Sequence, residues 1–235
     1  MPTLGTSDYF NSCSNQTDPS FGNYLFSVPE NYVGHQFART GQAYAGLLFA
    51  QDSIGSQTNA EYIQVKLKSK LEAGKYYNLQ FFINLSQLSG GTPICTNSIG
   101  ALFTANELNY NNYDIIPILP QYQSNLNDFF CDSSRWFEQN HTFRAVGNEE
   151  FLTIGVFTPL PLIEATDYSG NLLSGVSAYY FIDDVSLTEV DYLSYIGEEI
   201  PNMFTPNSDG KNDFFTFDNS KVQAKQITIL NRWGN

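Results

Sequence analysis

Tyr76–Leu85 reads YYNLQFFINL. Seven of its ten residues are aromatic or large aliphatic, and none is charged, Gly or Pro. A run of this length and composition predicts a strand near the middle of a sheet. A turn, Ala73-Gly74-Lys75, leads into it. Before that, Glu61–Leu67 (EYIQVKL) alternates cleanly. Tyr62, Gln64 and Lys66 face one way, and Ile63, Val65 and Leu67 the other, as the two-residue period of a strand requires.

The same reading extends in both directions. Thr6–Cys13 (TSDYFNSC) opens the first ordered segment, and Ser27–Gly34 is an extended, turn-rich connection. Arg39–Ala50 is a strand with glycines where backbones approach. Ser98–Thr104 (SIGALFT) and Trp136–Ala145 (WFEQNHTFRA) follow as strands. Gly147-Asn148 reads as a hairpin turn returning into Phe151–Phe157. After a polar loop at Asp167–Ser174, Ala178–Leu187 (AYYFIDDVSL) is the closing strand. No helical stripe competes for more than about a turn. About nine short-spaced strands with Gly/Asn turns predict an all-β protein, a jelly-roll β-sandwich over residues 1–190. An acidic junction, 191–199, precedes a second segment at 200–235.

Composition agrees. The chain is 42% hydrophobic and only 15% charged, with 15 Tyr and 19 Phe, a globular balance rich in β-formers. A first domain of this length buries roughly 70% of its unfolded surface, enough for one large core. The net charge of −13, with no basic cluster, excludes nucleic acid as a partner and disfavours anionic membranes. No apolar run approaches the ~20 residues of a membrane helix, so membrane insertion is not expected.

The last segment, IPNMFTPNSDGKNDFFTFDNSKVQAKQITILNRWGN (Ile200–Asn235), concentrates turn chemistry. Pro206 presets φ, Asn207 and Asp209 bond their own backbone, and Gly210 supplies positive φ. The positions Pro201-Asn202-x-Phe204-Thr205-Pro206-Asn207-x-Asp209-Gly210-x-Asn212-Asp213, then Ile229-x-Asn231-Arg232-Trp233-Gly234, resemble the gliding-motility-associated C-terminal domain of Bacteroidetes. That is the type B sorting domain of type IX secretion. Ser208 departs from the pattern, because Gly is usual there. Family members continue through further strands, so the sequence covers less than half of such a domain. Residues 200–235 are therefore expected to be held by a partner, or to be poorly ordered, rather than to fold as an independent domain. Asn207, Asp209 and Asp213 present two readings: an oxygen-rich calcium loop, or a turn held by Asx bonds.

The resemblance implies export by the type IX machinery, a secreted or cell-surface location, and a precursor carrying a signal peptide that Met1–Gly5 does not provide. In an oxidising compartment a Cys95–Cys131 bridge is expected, constraining the unfolded chain by about 4 kcal/mol in the entropy model. Cys13 is then a buried free thiol.

The first domain also acquires a resemblance. Tyr44-x-Gly46, Glu61-Tyr62-Ile63, Leu71-x-x-Gly74-x-x-Tyr77, Phe143-x-Ala145-x-Gly147-x-Glu149, Ile154-Gly155 and Tyr179-Tyr180-x-Ile182-Asp183-Asp184-Val185 look like galactose-binding-like jelly rolls. That group includes many carbohydrate-binding modules. Similar jelly rolls hold a structural calcium through an Asp of the closing strand, which would recruit Asp8 here. Asp183 and Asp184, adjacent in a strand, are expected to point to opposite faces. The other reading is a carboxylate bonded to backbone or paired with Arg39 or Arg144.

Ala105–Ser134 breaks the strand rhythm, with six Asn and several aromatics. Tyr110, Tyr113 and Tyr122 are the candidate sugar-stacking residues, because rings stack on C–H faces while neighbouring amides bond hydroxyls. The plainer reading is a loop that covers a sheet edge. Trp136 and His141 read as packed residues. No G-x-S-x-G or H-E-x-x-H occurs, and Glu149-Glu150, facing opposite ways, cannot flank one bond. The expected function is a non-catalytic glycan-binding module or adhesin. The alternatives are an extracellular polysaccharide hydrolase and a structural piece of a surface appendage.

Overall fold

The computed structural model describes residues 7–15, 17, 25–53, 57–87, 94–109, 115–159, 165–166, 177–191, 205, 207–211 and 213–214. By its internal contacts the chain divides into two compact units, Met1–Thr188 and Glu189–Asn235.

The first unit is all-β among its described residues. Its larger sheet joins β1 (Asp8–Asn11), β4 (Ala43–Ser53), β14 (Ser177–Val190), β7 (Tyr76–Leu85) and β11 (Phe137–Arg144) in that order, with β5 (Gln57–Asn59) also pairing β4. The second sheet runs β10 (Tyr122–Gln123), β9 (Gly100–Thr104), β12 (Phe151–Gly155), β6 (Ile63–Lys66). Two short ladders complete the set, β13 (Ala165–Thr166) with β8 (Cys95–Thr96), and β2 (Glu30–Asn31) with β3 (Gly34–His35). From β6 onward the long strands alternate between the two main sheets: β6, β9 and β12 in one, β7, β11 and β14 in the other. Antiparallel pairing with this alternation is jelly-roll topology.

One expectation is corrected here. Gly147 and Asn148 do turn the chain with positive φ (96° and 72°), but β11 and β12 lie in different sheets and do not form a hairpin. The turn is instead docked on the preceding corner. The Leu71 amide donates to the Glu149 carbonyl, Asn148 to Leu71, and Gly74 to Ala145. A Cβ on Gly147 would sit 2.9 Å from that of Ala73. Buried Glu149 accepts the Val146 amide at 2.8 Å. Local turn chemistry was readable, whereas partner choice was fixed by these corner contacts.

The facing surfaces of the sheets build the core. Leu47, Phe49, Leu79, Phe81, Ile83, Ala101, Phe103, Leu152, Ile154, Tyr180 and Ile182 interlock, with Phe49 edge-on to Tyr180 at 4.9 Å. Each fully buried Leu or Phe stabilises by ~1.5–3 kcal/mol. Tyr76–Leu85 is flanked by β14 and β11, the central placement its composition predicts. A disulfide joins buried Cys95 to Cys131, with Cα atoms 4.9 Å apart. Cys13 is free but exposed rather than buried. β1 ends at Asn11, whose side chain accepts the Cys13 amide and turns the chain outward.

Each sheet also carries a cover on its outer face. Phe10, Tyr44, Tyr179 and Phe181 project outward from β1, β4 and β14 and pack with Val28, Val33, Ala38 and Trp136. On the second sheet, Tyr62, Leu102 and Phe157 pack with Leu108, Ile115 and Ile116 of the irregular insertion.

Candidate functional site

The outer face of the larger sheet changes character from β14 to β11. β7 turns Asn78 and Gln80 outward between buried Tyr77, Leu79 and Phe81. β11 turns Glu138, Asn140 and Thr142 to the same side, directly opposite, with Phe82 paired to Glu138, Gln80 to Asn140 and Asn78 to Thr142. These side chains interlock. Asn78 Nδ2 donates to Asn140 Oδ1 (2.6 Å) and to Thr142 Oγ1 (3.0 Å). Gln80 Nε2 and Asn140 Nδ2 both donate to Glu138 Oε1, at 2.6 and 3.0 Å. Those bonds, Asn140's first, hold the Glu138 carboxyl below its ordinary pKa. Cross-strand polar pairs of this kind each contribute a few tenths of a kcal/mol, up to ~1.

The strip is headed by Arg39, whose guanidinium lies 3.4 Å over the Phe82 ring. It also pairs with Asp184 Oδ2 at 2.5 Å, while Thr40 Oγ1 donates to Asp184 Oδ1. Asp183 Oδ2 accepts the Arg39 amide (2.8 Å), and its Oδ1 accepts the Asp184 amide (2.7 Å). Burial raises Asp183. For Asp184 burial acts upward too, but Thr40 and Arg39 hold it low. The expectation that adjacent carboxylates diverge is therefore overturned: both meet the Arg39-Thr40 segment. The cause is backbone, because Asp184 has φ 52°. The break resets the alternation, since Phe181 packs in the outer cover while Leu187, six residues on, packs against the inner core.

Asp8 does not join them. Its Oδ2 accepts the hydroxyls of Tyr32 (2.6 Å) and Tyr179 (2.5 Å), and burial followed by that carboxylate raises both phenols well above 10. Gly46 leaves room for the Tyr179 hydroxyl, which a Cβ would meet at 2.2 Å. The expected calcium ligands are thus divided between two networks, and the cation touching Asp184 is a guanidinium. Among the described residues no three His, Cys, Asp or Glu side chains gather as a metal site. As placed, the three Asp side chains named for calcium do not converge on one point.

Tyr122 is not an exposed platform. Its hydroxyl donates to buried Gln139 at 2.6 Å, and its ring packs on Phe81 and His141. Burial pushes its pKa up to about 12. Tyr110 and Tyr113 lie outside the described residues. The described insertion serves as a cover: Ile116 donates its amide to the Tyr62 hydroxyl, and the Gln121 side chain bonds both backbone groups of Phe103. Trp136 packs against Tyr44 in the outer cover. His141 is half-buried beside Phe143, and burial lowers its pKa against a Gln121 backbone bond. Glu150 pairs with Lys70 (2.6 Å) and Lys66 (3.6 Å), and with Glu149 capping the corner neither is presented to a ligand.

In the second unit the described loop is a carboxylate-capped turn. Asp213 accepts the amides of Asn207, Ser208 and Gly210 at 3.0, 2.6 and 2.8 Å. Burial opposes the shift, but these amides hold Asp213 low. Asn207 accepts the Asp209 amide, and Asp209 that of Lys211. The Asx reading describes this loop. Ser208 has φ 62°, a physical reason for Gly at that position. Thr205 is described and exposed, whereas Pro201, Phe204, Pro206, Asn212, Arg232, Trp233 and Gly234, and the strands expected after Phe214, lie outside the described residues.

The strip itself was missed by the sequence reading. Its signal was present: outward strand positions filled by Asn, Gln and Thr, where a plain solvent face would carry more charge.

Comparison with known proteins gives structural likenesses to six chains, among them three with TM-scores below 0.4. The xylan-binding CBM22-1 domain from Paenibacillus barcinonensis Xyn10C matches at TM-score 0.33 and 10% identity, covering 79% of this chain and 93% of that one. A family 16 carbohydrate-binding module matches at 0.30 and 15%, covering 73% and 89%. The cleaved adhesin domain of Lys-gingipain from Porphyromonas gingivalis matches at 0.36 and 11%, covering 80% and 100%. No curated protein matches the sequence. Residues 198–235 match the CHU_C Type IX secretion signal domain, which marks the chain for secretion.

Proposed function

We propose that this is a non-catalytic glycan-binding module or adhesin, exported by type IX secretion to the surface of a Bacteroidetes cell, and that it holds its ligand on the open outer face of β7 and β11. The observation that carries the reading is the interlocked strip Asn78–Asn140–Glu138–Gln80. Its side chains are held in register by one another, so little side-chain freedom is lost on binding. Amides and a carboxylate held in one row match the hydroxyls of an extended sugar chain. The Arg39 plate over Phe82 and half-buried Trp136 mark the end where the face meets its cover.

A glycan array tests the proposal. Wild type is expected to give signal on a subset of plant, algal or host glycans, and the Gln80→Ala/Asn140→Ala double variant to lose it. Silence of folded wild type across all three sets overturns the reading.

A further inference from the structure

The direction of the amide chain on β7 and β11 is dictated by one residue. A carboxylate accepts and cannot donate. Gln80 and Asn140 must therefore both present their NH2 groups to Glu138 Oε1. With its NH2 turned to Glu138, Asn140 points its oxygen at Asn78, so Asn78 turns its own NH2 that way, and both its N–H bonds are used, on Asn140 and Thr142. Among the described residues no donor reaches Asn78 Oδ1, Gln80 Oε1 or Glu138 Oε2. Three acceptor oxygens are thus left for a ligand, beside one remaining N–H each on Gln80 and Asn140 and the Thr142 hydroxyl.

Charge acts in the same direction. Arg39, the cation at the head of the strip, is already paired with Asp184 and stacked on Phe82. Arg144, at the other end of β11, donates to the Gly74 carbonyl. The other charged groups placed there are Glu138, Asp183 and Asp184, in a chain of net charge −13.

We infer that Glu138 is the specificity-determining residue of this face: by orienting the amides it makes the strip select uncharged, hydroxyl-rich polysaccharide and reject uronate or sulfated chains. The inference rests on the glycan-binding reading above. A hydroxyl both donates and accepts, so it meets the acceptor row and the remaining donors together. An anionic group only accepts, so it would leave the acceptor row unmet and lie beside the Glu138 carboxylate, while Arg39 is already paired with Asp184.

Two measurements decide it. Affinity electrophoresis of the full chain uses galactomannan and hydroxyethyl cellulose as uncharged probes, and alginate and chondroitin sulfate as anionic ones. The uncharged gels are expected to retard wild type, with little change between low and moderate salt. Glu138→Gln, which can donate and so releases the orientation, is expected to weaken that retardation about tenfold. Retardation by the anionic gels that equals or exceeds the uncharged ones overturns the inference while leaving glycan binding standing; no retardation by any gel removes both. The orientation is read separately, without ligand, from the side-chain amide resonances of Asn78, Gln80 and Asn140 during an acid titration. The three are expected to move in one step as Glu138 protonates, and the step to vanish in Glu138→Gln. Resonances that stay still or move independently overturn the relay.

Discussion

The larger sheet carries two outer surfaces made by the same alternation. On β1, β4 and β14 the outward residues are Phe10, Tyr44, Tyr179 and Phe181, and a loop segment covers them. On β7 and β11 they are Asn78, Gln80, Glu138, Asn140 and Thr142, and the side chains bond one another instead. One half buries aromatic area and contributes stability. The other half holds polar groups in fixed positions at the surface. The difference teaches that an outward strand position is not uniformly a solvent position: its side chain decides whether it recruits a cover or stays open.

The largest expected effect lies in the covered half. Phe10 is fully buried, in contact with Tyr44 and Phe181, and Phe10→Ala is expected to cost about 3–5 kcal/mol in urea unfolding. A loss below about 1 kcal/mol would mean that the cover is not a packed layer. Next comes Gly46→Ala, whose new Cβ would press on the Tyr179 hydroxyl and the Phe10 ring at 2.2 and 2.7 Å. Overpacking there is expected to cost about 1–3 kcal/mol by the same measurement. In the open half, Gln80→Ala and Asn140→Ala are expected to change stability by under about 0.5 kcal/mol. A larger loss would make the strip part of the scaffold.

A smaller effect separates the two sides of β11. His141 faces inward, and burial lowers its pKa from the ordinary 6.5. As pH falls through about 6.5, the unfolded chain takes up a proton that the folded chain resists, so stability present above that pH is lost below it. His141→Gln should flatten this part of the profile, and an unchanged slope would place the titration elsewhere. Smallest of all, chelator is expected to leave the melting midpoint unmoved, because Asp184 already pairs with Arg39 and Asp8 with two tyrosines.

The sheet architecture was legible in strand composition: Tyr76–Leu85, Glu61–Leu67 and Ala178–Leu187 all read as the strands they contain. What was not legible depended on backbone exceptions and on distant partners. Asp184 breaks alternation through a positive φ that its side chain does not announce. The Gly147-Asn148 turn looked like a hairpin because the corner at Leu71–Gly74, which redirects it, lies about seventy residues earlier. Tyr122 looked like a platform because nothing local says that Gln139 and Phe81 enclose it. The strip escaped notice because Asn78 and Gln80 matter only beside Asn140 and Glu138, a register that folding supplies.

The most direct test of the open face is one binding measurement on a triple variant, Asn78→Ala/Gln80→Ala/Asn140→Ala, against the uncharged polysaccharide that wild type binds best. Loss of binding at an unchanged unfolding midpoint is the predicted result. Binding retained at wild-type strength by the folded variant would contradict it.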